Sequence, residues 1–140
     1  MPRLLTFCLF LLFPLAAVAA DKPPAPIKAL LITGGCCHDY DVQKDLIAKG
    51  LQLRANIDVT IVRQGGSATN SKIPLYESSD WSKGFDVVIH DECFADVKDQ
   101  AWVDNILKPH REGLPGVVVH CAIDRKSTRL NSSHVSESRM

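Results

Sequence analysis

Three short strings hold most of the residues able to do chemistry: Gly34-Gly35-Cys36-Cys37-His38-Asp39-Tyr40, His90-Asp91-Glu92-Cys93 and His120-Cys121. Three kinds of chemistry fit them. A cysteine at a strand-to-helix elbow, with a histidine as its base and backbone N–H donors beside it, makes a nucleophile. Cys121 stands where such an elbow would be and His38 or His90 would serve it, although the surround is His120-Cys121-Ala122 and not G-x-C-x-G. Imidazole and thiolate together suit a tetrahedral zinc site with one open position, for which His38, His90, Cys93, His120 and Cys121 are the candidate ligands. No CxxC or HxxxH spacing singles them out. The third possibility is a ligand crevice, in which Asp39, Asp91 and Glu92 bind sugar hydroxyls, Tyr40 and Trp81 stack on a ring, and Gly34, Gly35, Cys36 and Cys37 line the wall.

Plainer roles exist for each. A buried cysteine is often just a small hydrophobe. In a secreted chain Cys93 and Cys121 could form a disulfide, whereas a vicinal Cys36–Cys37 bridge would be strained. The paired glycines could simply permit a sharp turn, and without GxGxxG they do not signal a nucleotide.

The elements that must position these strings alternate in type. Ala29 to Thr33 is a continuous apolar run ended by Gly34-Gly35, as expected of a strand buried on both faces. Asp41 can cap a helix running to about Ala55, with Val42, Leu46, Ile47, Leu51 and Leu53 toward the core. Ile57 to Val62 and Phe85 to His90 read as the second and third strands, and Gly116 to His120 as the fourth. Between the last two, Asp96 can cap a helix with Ala101, Val103, Ile106 and Leu107 inward and Pro109 as its stop. Gln64 to Gly84 lacks clear periodicity, and the alternatives there are a functional loop or a short helix around Leu75 to Trp81. Strands alternating with helices imply right-handed crossovers, hence an α/β fold with an open, mostly parallel, doubly wound sheet. In the flavodoxin-like order 2-1-3-4 the ends of strands one, three and four adjoin, so the three strings would share one crevice beyond the strand ends. His110 stands apart from them.

The two ends of the chain look unlike the middle. Residues 1–20 combine Arg3, an apolar block from Leu4 and small residues at Ala17 to Ala20, the pattern of a secretory signal peptide. Its apolar block is shorter than the roughly 18 to 20 residues a membrane span needs. Residues 21–28, with Pro23, Pro24 and Pro26, form a stiff leader. Residues 124–140 contain five serines and four basic residues with no period, and Asp124 to His134 correspond without mismatch to the translation of a common short-read sequencing adapter. That tail is expected to be artefactual, leaving 29–123 as the N-terminal part of a domain truncated on its C-terminal side. Residues 21–123 carry 11 Lys and Arg against 14 Asp and Glu, a net charge of −3, with four cysteines after loss of Cys8. A mildly acidic surface argues against nucleic acid or anionic membrane as partner. The expected location is secreted or periplasmic.

The strings LLITGGCCHDYDVQK, DWSKGFDVVIHDECFADVKD and GVVVHCA, spanning nearly all of Ile27 to Ala122, resemble the trehalose-utilisation (ThuA-like) family of the class I glutamine amidotransferase-like superfamily. The resemblance implies a flavodoxin-like three-layer fold, secretion and a role in carbohydrate processing. By position, His38 and Asp39 correspond to the family's His-Asp after the first strand, Cys93 to its Glu-Cys-Phe run, and His120 with Cys121 to its His-Cys/Ser-Ala. Family domains are longer than this stretch, and the glutaminase nucleophile motif is not reproduced, so amidotransferase activity is not expected. The resulting expectation is an enzyme acting on a carbohydrate or glycoside through His38, Asp39, His90, Glu92, Cys93, His120 and Cys121. The alternatives are a non-catalytic sugar-binding domain and a structural or interaction domain.

Overall fold

The computed structural model describes residues 22–119 and residue 122. The expected signal peptide (1–20), the tail (124–140), His120 and Cys121 lie outside the described residues. Four strands, β1 (Ile27–Gly35), β2 (Ile57–Arg63), β3 (Val87–Cys93) and β4 (Gly116–Val118), form one parallel sheet in the order β2-β1-β3-β4. Helix α1 (Tyr40–Gln52) joins β1 to β2, and helix α2 (Gln100–Arg111) joins β3 to β4. The chain is therefore an open α/β fold of the doubly wound kind, as its pattern of apolar runs requires.

Burial on both faces explains why β1 is apolar from Ala29 to Ile32. Leu30, Ile32 and Val88 pack under Tyr76, Trp81, Trp102 and Ile106, whereas Ala29, Leu31 and Ile89 pack under Ile47 and Leu51 of α1. Two apolar layers thus sandwich the sheet, α1 outside one and α2 outside the other. Among the described residues no helix is long and apolar enough to cross a membrane. At the base of the sheet, the Lys28 backbone N–H donates to Asp86 Oδ2 and the Asp86 N–H donates to the Lys28 carbonyl, each at 2.8 Å. This reciprocal clasp sets where β3 begins against β1.

Several boundaries differ from those expected. β3 starts at Val87 and continues through His90, Asp91, Glu92 and Cys93, because a parallel ladder uses backbone groups and Ile32 to Gly35 of β1 supply the partners. Helix α1 is capped by Asp39 and not Asp41, with Asp39 Oδ1 accepting from the Val42 N–H at 3.2 Å. Of the residues expected inward, Ile47 and Leu51 pack against the sheet, joined by the buried Tyr40 and Ala48, whereas Val42, Leu46 and Leu53 are exposed. Helix α2 is likewise capped by Asp99 and not Asp96, its Oδ1 accepting from the Trp102 N–H. In the long connection, Pro74–Glu77 forms a 3-10 helix, so a short helical piece is present but ends before Trp81.

Pro109 was expected to stop α2 yet lies inside its last turn. A proline there cannot donate to the carbonyl four residues back, which is that of Asn105. The Trp81 indole N–H donates to this carbonyl instead, at 3.1 Å. Trp81→Phe should therefore strand a half-buried acceptor and lower stability by about 1 kcal/mol, read from the urea midpoint. An unchanged midpoint would show that water reaches Asn105 freely.

Candidate functional site

Because β3 stays extended through its polar end, alternate residues point to opposite faces of the sheet. His90 and Glu92 face α2, while Asp91 and Cys93 face α1. The single crevice expected from the strand order is thus two separate groups, divided by the strand itself.

On the α2 face, Tyr76 Oη donates to Glu92 Oε1 at 2.6 Å and lies 3.0 Å from His90 Nδ1. His90 Nδ1 is 2.9 Å from the same carboxylate oxygen, and His90 Nε2 is 3.0 Å from His110 Nε2. His110 Nδ1 points at the Leu114 carbonyl at 2.9 Å, so it must carry a proton. Burial, the main influence on His110, lowers its pKa and favours neutral imidazole. A neutral His110 with Nδ1 protonated accepts at Nε2, hence His90 Nε2 donates. His90 Nδ1 then faces both Glu92 Oε1 and the Tyr76 hydroxyl. His90 and Glu92 are 6% and 8% exposed, so water screens this pair little. Desolvation, then the nearby Glu92 carboxylate, pushes the Tyr76 hydroxyl well above its usual range and keeps it a donor. Glu92 Oε2 is buried and has no hydrogen-bond partner.

A linked prediction concerns acidity. His110 has a folded pKa below the ordinary histidine value of 6.5, so in the window beneath that value the unfolded chain binds more protons. Stability should fall as pH drops from about 7.5 to about 5.5, and His110→Gln should flatten that dependence of the melting temperature. An identical slope in the variant would assign the effect to other groups.

On the α1 face, Asp91 Oδ2 accepts from Thr33 Oγ1 at 3.1 Å and Oδ1 accepts from Gln43 Nε2 at 2.9 Å. Burial raises the Asp91 carboxyl pKa, opposed by the Thr33 hydrogen bond. Beyond Asp91, Cys36, Cys37 and Cys93 bring their sulfur atoms within 4.8 Å of one another, a group that could hold a metal ion. Cys36 Sγ is 3.7 Å from Cys93 Sγ. The hydrogen bond to Cys36 chiefly raises the pKa of the exposed Cys37. Cys37 itself takes a left-handed backbone, φ 80°. Gly34 and Gly35 bring β1 against its neighbours so closely that a Cβ would overlap the carbonyl oxygens of Gln64 and Cys93, respectively. They are needed for this approach, beyond any turn.

The remaining expected residues have other surroundings. Tyr40 is 2% exposed, its hydroxyl donates to the Cys36 carbonyl at 3.1 Å, and the Arg63 guanidinium lies over its ring. Trp81 is 4% exposed and packs edge-on against Tyr76. Neither leaves a ring face for a sugar to stack on, because both fill the protein interior. His38 is exposed with its ring edge-on to Tyr40, and Asp39 is engaged in capping α1. His90, counted with Cys93 as a zinc ligand, is on the opposite face from it. Tyr76 and His110 are the members that sequence reasoning left out: Tyr76 lies in the aperiodic connection, and His110 reaches His90 only because α2 folds back over β3.

The fold and these groups define an α/β protein whose polar residues cluster at the C-terminal ends of β1 and β3, where the strand order reverses. No family model, curated protein or solved structure matches the chain.

Proposed function

We propose that residues 29–123 form part of a secreted or periplasmic ThuA-like domain that acts on a carbohydrate, with Glu92 and His90 as its acid/base pair. The observation that carries this reading is the unpartnered, buried Glu92 Oε2 beside the 2.9 Å contact of His90 Nδ1 with Glu92 Oε1. A sugar hydroxyl is a donor of the right kind for that oxygen. Glu92 would take a proton from water as that water's oxygen bonds to the anomeric carbon, His90 would deliver a proton to the sugar oxygen that leaves as the glycosidic bond breaks, and Tyr76 and His110 would position both. Strand ends next to a reversal of strand order are the usual ligand position in such sheets, which adds support. So does the resemblance of LLITGGCCHDYDVQK and DWSKGFDVVIHDECFADVKD to that family.

Asp91 and Glu92 face opposite sides of the sheet, so the two together do not make the paired carboxylates of glycoside hydrolysis. The chemistry that fits is hydrolysis assisted by one carboxyl group and one imidazole. Zinc, one of the three chemistries the sequence left open, belongs in this reading to the three thiols on the α1 face, since sulfur donors suit it and the acid/base group offers none.

Incubating the chain with disaccharides and glycosides, followed by mass spectrometry, tests the proposal. Turnover is expected, with Glu92→Gln slowing it by about 100-fold or more. Saccharide binding by calorimetry without product would leave a binding domain in place of an enzyme. Turnover insensitive to Glu92→Gln and His90→Ala would remove both residues from the mechanism.

A further inference from the structure

We infer that Cys36, Cys37 and Cys93 together ligate one Zn2+ ion, through three thiolates and with the fourth corner open to solvent. This rests on the reading of zinc as the protein's metal and adds its ligand set and geometry, which differ from the His-containing set expected from the sequence.

Spacing is the first argument. With Zn–S bonds of about 2.3 Å, neighbouring sulfurs in a tetrahedral site lie about 3.8 Å apart. Cys36 Sγ and Cys93 Sγ are 3.7 Å apart, and all three sulfurs fall within 4.8 Å of one another. A disulfide would require about 2.05 Å. The three sulfurs are therefore set at a separation suited to a common ion and not to a bond between two of them.

Backbone support is the second. Cys36 and Cys93 come from adjacent parallel strand ends, held by the Cys36 N–H donating to the Cys93 carbonyl at 3.1 Å. Gly35 pairs directly with Cys93, so no side chain separates β1 from the sulfur. The Tyr40 hydroxyl holds the Cys36 carbonyl, and the left-handed backbone at Cys37 keeps the second thiol of the vicinal pair in the group. None of these contacts requires an ion, so the site is preorganised.

Exposure gives the direction of the open corner. Cys93 is buried, Cys36 half-buried and Cys37 exposed, which leaves the group closed from below and accessible on the Cys37 side. Each thiol would lose its proton to solvent as its S–Zn bond forms. In the oxidising compartment proposed for this protein, coordination would also protect thiols that otherwise lie close enough to be oxidised.

The test uses the full 140-residue chain carrying Cys8→Ser and Cys121→Ser, reduced, stripped of metal and titrated with Co2+ and then Zn2+. One Co2+ per chain is expected, with a thiolate-to-cobalt charge-transfer band and tetrahedral d–d bands that Zn2+ abolishes. Cys93→Ser should eliminate the charge-transfer spectrum. Cys37→Ser, at an exposed position where folding is not at stake, should weaken Zn2+ binding by at least about tenfold. If Zn2+ binds but neither substitution alters it, the ligand assignment is overturned while zinc itself stands. If no Zn2+ binds to this chain or to one retaining all its cysteines, both fall. Binding that requires Cys8 or Cys121 would overturn the three-thiol set.

Discussion

Gly35→Ala should cost at least about 3 kcal/mol and separate the ends of β1 and β3. Two effects act together. Gly35 has φ 97°, a backbone region that side chains disfavour, and its added Cβ would overlap the Cys93 carbonyl oxygen while lying 2.8 Å from the carbonyl carbon. The obstacle is backbone inside a ladder, so it cannot swing aside as a flexible side chain would. Gly84→Ala separates the two effects: Gly84 has φ 89°, but nothing lies within 4 Å of its would-be Cβ. That substitution should cost only the backbone preference, about 1–2 kcal/mol. Urea denaturation of both variants is the measurement. Equal losses would mean that the overlap at Cys93 is relieved by a small strand shift and that the close approach is not essential.

His90→Ala should be comparably severe, at roughly 3–5 kcal/mol, because it removes the imidazole that is paired with a buried carboxyl group. Glu92 Oε1 would keep only the Tyr76 hydroxyl, and Glu92 Oε2 already has no partner. His110 would also lose the donor facing its Nε2. Tyr76→Phe removes one hydrogen bond and leaves the His90–Glu92 pair intact, so about 1–3 kcal/mol is expected there. The combined His90→Ala, Glu92→Ala chain should lose less than the sum of the single losses, since neither group is then stranded. Strict additivity in that cycle, or a His90→Ala loss below about 0.5 kcal/mol, would mean that water already solvates the carboxylate.

Strand content was readable because a strand buried on both faces demands an unbroken apolar run, as Ala29 to Thr33 is, and because Ile57 to Val62 is β-branched at every position but Asp58. The polar end of β3 was not, since hydrogen bonding in the ladder is indifferent to side chains and His-Asp-Glu-Cys looks like a loop. Misjudging that boundary merged two faces into one crevice. Both helix caps fell among several aspartates, where local sequence offers Asp39 or Asp41, and Asp96 or Asp99, with little to separate them. The pairing of His110 with His90 depends on packing of α2 over β3, and Pro109 hid it by resembling a helix stop. Thiol proximity was half visible: the strand order brought Cys36 and Cys93 near each other, but the involvement of Cys37 follows from its left-handed backbone.

The Lys28–Asp86 clasp carries a consequence for how the chain tolerates changes in length. β3 presents four reactive residues in succession, with acid/base members and the thiol on alternate sides. Adding or deleting one residue between the clasp and Ile89 would rotate the remainder of the strand by half a pleat, delivering His90 and Glu92 to α1 and Cys93 to α2. Insertions before Asp86 would leave the strand in phase. Natural variation in length should therefore collect in the connection ahead of that aspartate, and the stretch from Asp86 to Cys93 should behave as a ruler of fixed length.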